Sequence, residues 1–324
     1  MSRALITGGC GFIGSHLAEA LIEQGHIVTV VDDLSTGRFE NIAHLVKRPG
    51  FQFAIANITN EMVMDRLVSE CDLVYHLAAA VGVDLIVREP VRVIESNIKG
   101  CEAVLRIAAR YRTEVLLAST SEIYGKSEDV PFCEDADSVL GPTIKSRWSY
   151  ACSKAMDEFL ALAYAKQSAL PVVIMRLFNT VGPRQTGRYG MVVPRFVQQA
   201  LRNEPLSVFG DGQQTRCFTY VGDVVRAMTG LAEESRALGQ VYNIGSSQEV
   251  SIEYLARFTI QLCNSSSPVI FIPYDQAYEV GFEDMRRRVP DTTKIQGLIG
   301  WRPQVDLEGI LRRVIAYYRE QTDG

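Results

Sequence analysis

Two side chains carry the most pointed chemistry in this sequence: Tyr150 and Lys154, four residues apart. That spacing brings both onto one face of a helix, and an ammonium beside a phenol favours the phenolate. A tyrosine so placed can act as a general base near neutral pH. Tyr-x-x-x-Lys alone equally describes ordinary helix packing, so the pair takes its meaning from its surroundings. Upstream lies Ser119-Thr120-Ser121-Glu122-Ile123-Tyr124-Gly125, a polar stretch that follows an apolar run. Near the N-terminus, Gly8, Gly11 and Gly14 fall in the spacing G-x-x-G-x-x-G. Such glycines permit a tight turn and close backbone approach, and a helix starting there turns N–H groups and its positive dipole end toward a pyrophosphate. Asp32 lies about where an acceptor for the adenosine ribose diol is expected, and its charge opposes a 2′-phosphate, favouring NAD over NADP. Arg38 is close enough to leave the phosphorylated form open, and Asp33 reads equally as a solvated turn residue.

These residues need a scaffold, and the hydrophobic pattern supplies one. Residues 3–7 (RALIT) are a short apolar run, 12–24 repeat apolar side chains at helical spacing, and 26–31 (HIVTVV) are rich in β-branched residues. That is strand, helix, strand. Further strands expected at 72–77, 114–118 and 171–177 alternate with longer helical stretches, which implies a parallel sheet covered on both faces. Leu77-Ala78-Ala79-Ala80 ends one strand in small residues, as a backbone passing close to a nucleotide would. Beyond Asn179, glycine and proline cluster; a helix over 220–234 and a strand over 241–245 then return to the sheet. The expected fold is a Rossmann-type α/β doubly wound parallel sheet with a smaller α+β substrate-binding domain. Residues 1–178 with a return segment at about 220–245 form the first, and 179–219 with 246–324 the second. No flexible linker separates them.

Composition excludes several classes. The 324 residues are 47% hydrophobic and 22% charged, unlike disordered, collagen-like or coiled-coil chains. A net charge of −5 without a basic tract argues against nucleic acid and anionic membrane as partners. Seven cysteines without Cys-x-x-Cys, and four scattered histidines, read as buried thiols in a reducing compartment, not as a disulfide frame or a metal centre. No apolar run approaches the ~20 residues of a membrane span. A cytoplasmic globular protein is expected.

The segments TGGCGFIG, DDLSTG, HLAA, SNIKG, STSEIYG, Tyr150-x-x-x-Lys154, RLFNTVGPR, GDGQQTRCFTYVGDV and RRRVPD together resemble the extended short-chain dehydrogenase/reductase family. More narrowly, they resemble its nucleotide-sugar epimerases, dehydratases and decarboxylases, over essentially the whole chain. The resemblance implies a tightly held NAD that transiently oxidises a sugar C4 hydroxyl. It makes Tyr150 the base at that hydroxyl, Lys154 the residue that holds the nicotinamide ribose and lowers the tyrosine pKa, and Thr120 the hydrogen-bond partner of the reacting oxygen. It assigns Gly8, Gly11, Phe12, Ile13 and Gly14 to the cofactor, with Asp32, Asp33 and Asn57. Ile58, Leu77, Ala78, Ala79 and Asn97 complete that set. Asn57 replaces an aspartate common near the adenine. Asn179 is expected on a phosphate, and Val193, Arg216 and Tyr220 on the uridine and diphosphate of a UDP-sugar; Tyr220 reads equally as sheet packing.

Three features resemble the UDP-glucuronate decarboxylases within that family. Glu122 sits inside Thr-Ser-Glu, where 4-epimerases usually lack a carboxylate. Arg147-Trp148-Ser149-Tyr150 replaces a Ser-Pro-Tyr. Residues 281–284 (GFED), followed by Arg287-Arg288-Val289-Pro290-Asp291, resemble an arginine segment that closes over glucuronate. Oxidation at C4 leaves the C5 carboxylate β to a ketone, so loss of CO2 gives a stabilised enolate that is then protonated. By this likeness Arg288 meets the carboxylate or relays the proton, Ser121 and Glu122 orient the ring, and Arg147 supports Glu122 or the diphosphate. Without the flanking motif, Arg286 to Arg288 would read as a solvated basic loop. The implied product is UDP-xylose or its 4-keto pentose. NDP-sugar 4-epimerisation and 4,6-dehydration stay open, as does an NAD-binding scaffold without chemistry. Ser121, where apiose-forming relatives carry cysteine, speaks against ring contraction. The helical stretches 88–111 and 148–167 resemble the pair that relatives use to form a homodimer.

Overall fold

The computed structural model describes residues 1–187, 191–277 and 285–322. The first half alternates strands and helices: β1 (Arg3–Thr7), α1 (Phe12–Glu23), β2 (Ile27–Asp32), β3 (Phe51–Ile55), α2 (Glu61–Ser69) and β4 (Leu73–His76). It continues through α3 (Val83–Arg88), α4 (Pro90–Tyr111), β5 (Glu114–Thr120), α5 (Arg147–Ser168) and β6 (Val172–Leu177). The second half has shorter strands: β7 (Thr180–Val181), α6 (Val192–Leu201), β8 (Leu206–Phe209), β9 (Thr215–Cys217), β10 (Thr219–Tyr220), α7 (Val221–Ala232) and β11 (Gln240–Ile244). Then come β12 (Glu249–Ser251), α8 (Ile252–Cys263), β13 (Val269–Ile272), α9 (Tyr274–Ala277), α10 (Thr293–Ile299) and α11 (Leu307–Thr322).

Seven strands make one sheet in the order β11-β6-β5-β4-β1-β2-β3, with every pairing parallel. This is the doubly wound order of dinucleotide-binding folds, with β11 added at one edge. The order reverses between β1 and β4, which opens a crevice at the carboxyl ends of the strands, where such sheets bind ligands. Period-two alternation sorts β1 between two cores. Ala4 and Ile6 face a cluster with Leu17, Tyr75 and Val224, on the side of α1 and α7. Leu5 faces Val31, Val74, Val104 and Ile174, on the side of α2, α4 and α5. The apolar pattern did not announce β3, because it is the sheet edge and only Phe51 in it is buried.

A separate core of Val193, Phe196, Leu255, Ile310 and Val314 joins α6, α8 and α11 into a second lobe. After β11 part of the chain comes back to the sheet side. Ile295 and Trp301 pack into the first core, and the Trp301 Nε1–H donates to Asp223 O in α7 at 2.9 Å. All seven cysteines are free thiols. Among the described residues, no helix is long and apolar enough to cross a membrane.

Candidate active site

A cleft of about 1380 Å³ runs along the carboxyl ends of the strands and under the second lobe. Pockets for drug-sized ligands are ~300–1,000 Å³. This cleft has room for more than one nucleotide-sized group.

At one end β1 passes into α1 through the glycines. Gly8 has φ +71°, and a Cβ there would stand 2.8 Å from the backbone N of Ala78. A Cβ on Gly14 would stand 2.4 Å from Gly8 O. Side chains are therefore excluded where the loop folds on itself. No described side chain caps α1 at Gly11, and Gly8, Gly11, Phe12, Ile13 and Gly14 line the cleft. This cradle fits a dinucleotide pyrophosphate. Asp32 ends β2 only 7% exposed, its carboxylate accepting from Leu34 N at 2.8 Å and Cys10 N at 2.9 Å. Burial raises its pKa against those two hydrogen bonds. Asp33 accepts from Ser35 N at 3.0 Å and from Asn57 Nδ2 at 2.9 Å. Burial pushes its carboxyl up, but hydrogen bonds from Ser35 and Asn57 prevail and hold it low. An aspartate at position 57 would set two carboxylates against each other; the amide donates instead. Ile58, Leu77, Ala78 and Ala79 complete this wall.

At the centre, β5 ends in Thr120, whose Oγ1 accepts from Glu122 N at 3.2 Å and so turns Ser121 and Glu122 into the cleft. Tyr150, in the first turn of α5, is 6% exposed and hydrogen-bonded to Thr120. Burial pushes its phenol up to about 12; the Lys154 ammonium opposes this and the Glu122 charge adds to it. The lysine thus acts in the anticipated direction but does not bring the phenol near neutrality by itself. Burial pulls the Lys154 pKa down. Asp157 Oδ2, 2.8 Å from its Nζ, together with Cys101 and Tyr150, prevails over burial and leaves the ammonium favoured.

Beside this pair, two guanidinium groups meet one carboxylate. Arg147 Nη2 lies 3.2 Å from Glu122 Oε2, and Arg288 Nη1 lies 2.6 Å from Glu122 Oε1. The side chains are 5%, 8% and 14% exposed for Arg147, Arg288 and Glu122. The basic segment is therefore not a solvated loop at Arg288, whereas Arg287 is, paired with Glu249 at the surface. Residues 281–284 lie outside the described residues.

Toward the second lobe, Asn179, Val193 and Arg216 also line the cleft. Asn179 Nδ2 donates to Cys217 O at 3.2 Å, and Arg216 Nη1 to Thr215 O at 2.7 Å. Two expected residues do not reach the cleft wall. Tyr220 packs against the second core, with the Arg313 guanidinium over its ring at 5.1 Å. Asn97 stands behind the wall and braces it, its Oδ1 accepting from Ala80 N at 2.8 Å. Sequence reasoning missed Asp157, although its three-residue offset from Lys154 on one helix was available as a signal. It also missed Arg195, which stacks over Phe209 at 4.0 Å in the cleft and has no motif to mark it.

The model of the GDP-mannose 4,6 dehydratase family matches residues 5–314. A UDP-N-acetyl-alpha-D-glucosaminuronate decarboxylase of Bacillus cytotoxicus is 43% identical over 319 residues, covering 98% of both chains. UDP-glucuronic acid decarboxylase 1 of Xenopus tropicalis is 38% identical, over 99% of this chain and 73% of its own. Among solved structures, a UDP-glucuronic acid 4-epimerase from Bacillus cereus, in complex with UDP-glucuronic acid and NAD, superposes with a TM-score of 0.88. It is 29% identical over 98% of this chain and 99% of its own. With family match, sheet order and glycine cradle in agreement, the chain belongs to the GDP-mannose 4,6 dehydratase family, a nucleotide-sugar branch of the extended short-chain dehydrogenase/reductases.

Proposed function

We propose that this chain is an NAD-dependent decarboxylase of UDP-hexuronates, which oxidises the sugar at C4, releases CO2 from C5 and forms UDP-xylose or its 4-keto pentose. The observation that carries this reading is the buried Arg147–Glu122–Arg288 cluster beside Thr120 and Tyr150. These three groups together hold one positive charge in excess, which suits a substrate carboxylate; an arginine fork pairs with it in two-pronged fashion. Glu122 draws part of both charges, so the carboxylate is held without being stabilised against leaving.

NAD in the glycine cradle supplies a reversible acceptor for the C4 hydrogen and its electron pair. Tyr150, steadied by Thr120, takes the C4 hydroxyl proton, and the Lys154 ammonium makes that proton easier to remove. With C4 a ketone, the C5–C6 bond breaks, CO2 leaves, and its electron pair enters the C4–C5 enolate under the arginines. A new proton, relayed through Arg288, then adds to C5 where the carboxylate left. For UDP-xylose, C4 also recovers its hydrogen and electron pair, and Tyr150 gives its proton back to the C4 oxygen. Ser121 and Glu122 orient the ring. The second lobe, with Asn179, Val193 and Arg216, holds the UDP. The chain works in the cytoplasm, where its seven free thiols stay reduced. Two copies join through α4 and α5, whose outer faces expose Val91, Met156 and Phe159.

The relatives differ in whether C2 bears a hydroxyl or an acetamido group, so both substrates belong in the test. NMR of purified protein with UDP-glucuronate and with its N-acetylated counterpart should show a UDP-pentose or 4-keto pentose, with CO2 released from the labelled carboxyl. UDP-galacturonate alone, or a 4-keto-6-deoxy sugar from a neutral UDP-hexose, would replace this reading with epimerase or dehydratase. No reduction of the nicotinamide by any of these sugars would leave a scaffold.

A further inference from the structure

From Arg286 to Val289 the backbone is neither helix nor strand, yet it delivers the buried Arg288 side chain to within 2.6 Å of Glu122. Something outside the segment must fix it. Phe132 donates its N–H to Val289 O at 2.8 Å and accepts the N–H of Asp291 at 2.8 Å, so Phe132 and Pro290 form an isolated parallel bridge. That bridge is clipped from below by Asn243, a fully buried residue of the edge strand β11. Its Nδ2 donates to Phe132 O at 2.8 Å and to Asp291 O at 3.1 Å. Its Oδ1 accepts from the Tyr124 hydroxyl at 2.7 Å, and its backbone N–H reaches Glu134 Oε1 at 2.9 Å. Tyr124 in turn accepts from Arg176 at 2.9 Å, which pairs with Glu158; Glu158 hydrogen-bonds Ser119, the neighbour of Thr120. The clip is thus wired to the end of β5, which carries Thr120 and leads into the turn with Glu122.

A second observation agrees. A Cβ on Gly245 would stand 2.8 Å from Pro290 Cγ and 2.8 Å from Phe178 Cβ, so the segment rests directly on the end of β11. At the other end, Met285 packs with Trp148 and Ala151 of α5, beside Tyr150. Arg288 lies between these two attachments.

We propose that Asn243 is a positioning residue: its carboxamide holds Phe132 and Asp291 in register and thereby sets where Arg288 meets Glu122. A carboxamide is the group that fits, because it donates twice and accepts once at this point. An aspartate would face two carbonyl oxygens with no hydrogen to give. What Arg288 does rests on the decarboxylase reading; how it is held does not.

The test separates the two reaction steps in single turnover with UDP-glucuronate. Asn243→Ala should keep nicotinamide reduction within about threefold of the parent and slow CO2 release about tenfold or more. Added to Arg288→Ala, it should cost less than about threefold further, since both act through one group. Equal losses in both steps, or full additivity, would overturn the proposal. Hydrogen exchange reads the clip without any substrate. In Asn243→Ala the amides of Phe132 and Asp291 should exchange about tenfold faster while β5 and β6 keep their protection. Unchanged exchange there would also overturn it. Absence of any pentose product from the parent protein defeats the decarboxylase reading alone, and the exchange arm then decides this one. Should Asn243→Ala not fold, Asn243→Asp, which keeps the size but has no hydrogen for Phe132 O and Asp291 O, carries the same two arms.

Discussion

The charge next to Tyr150 decides how the oxidation step depends on pH. Burial drives the phenol up, and the Glu122 carboxylate drives it further in the same direction. Replacing Glu122 with glutamine removes that negative charge and leaves Arg147 and Arg288 unopposed by it. The phenolate is then favoured at every pH, so the acid limb of the oxidation rate moves to lower pH, by up to about one unit. CO2 release should meanwhile slow by about tenfold, because the arginines lose the group that spaces them. Stopped-flow nicotinamide absorbance across pH, paired with CO2 release, checks both; a limb that stays put or moves upward contradicts the charge argument. At this scale the sequence made legible that Tyr150, Lys154 and Glu122 share one cleft, the first two from their spacing and the third from its resemblance to a family motif. It was not legible where a partner decides the role. Asn57 takes its meaning from Asp33 and Asp157 from Lys154, while Tyr220 turns to a core that no motif reports.

Elements were easier to read than their ends. The buried strands β1, β4, β5 and β6 are continuous apolar runs, and the structure moves their ends by no more than about two residues, within the usual latitude of boundaries. The edge strand β3 was illegible because a strand with one buried residue has little pattern to show. The turn from β1 to α1 offers a test of the cradle. Alanine at a helical glycine normally stabilises by about 0.5–1 kcal/mol. At Gly297, where an added Cβ meets nothing within 4 Å, that gain should appear in full. At Gly14 the same methyl meets Gly8 O at 2.4 Å and Gly9 Cα at 2.7 Å, both backbone atoms. The loop must give way, so Gly14→Ala should weaken NAD binding by about tenfold or more, roughly the loss of one or two well-aligned hydrogen bonds to phosphate. Calorimetric titration with NAD, alongside melting curves for both variants, distinguishes them. Equal NAD affinity in Gly14→Ala would mean that the loop does not shape the cofactor site.

On the scale of the whole molecule, the site exists only because distant stretches of chain converge. Glu122 lies in the turn just after the central strand β5, Arg147 opens a helix, and Arg288 arrives on an irregular segment tied to Phe132 and Asn243. Local patterning holds no information about such bridges, and so the fold class was legible while the seat of Arg288 was not. The same convergence bears on assembly. On α5, Tyr150, Lys154 and Asp157 face inward, while Phe159 is 71% and Met156 51% exposed on the outer side; Val91 of α4 is 68% exposed. Apolar side chains this large are worth about 1.5–3 kcal/mol each when covered, and a two-fold interface covers every one of them twice. Phe159→Glu would then place a carboxylate in both copies of the contact, with no hydrophobic gain left to offset its desolvation. Light scattering should give twice the 36.0 kDa chain mass for the parent protein and the single mass for this variant at micromolar concentration. Because every residue of the proposed site comes from one chain, NAD should still bind to the variant. A parent protein that scatters as a monomer, or a variant that stays paired, would remove α4 and α5 as the joining face.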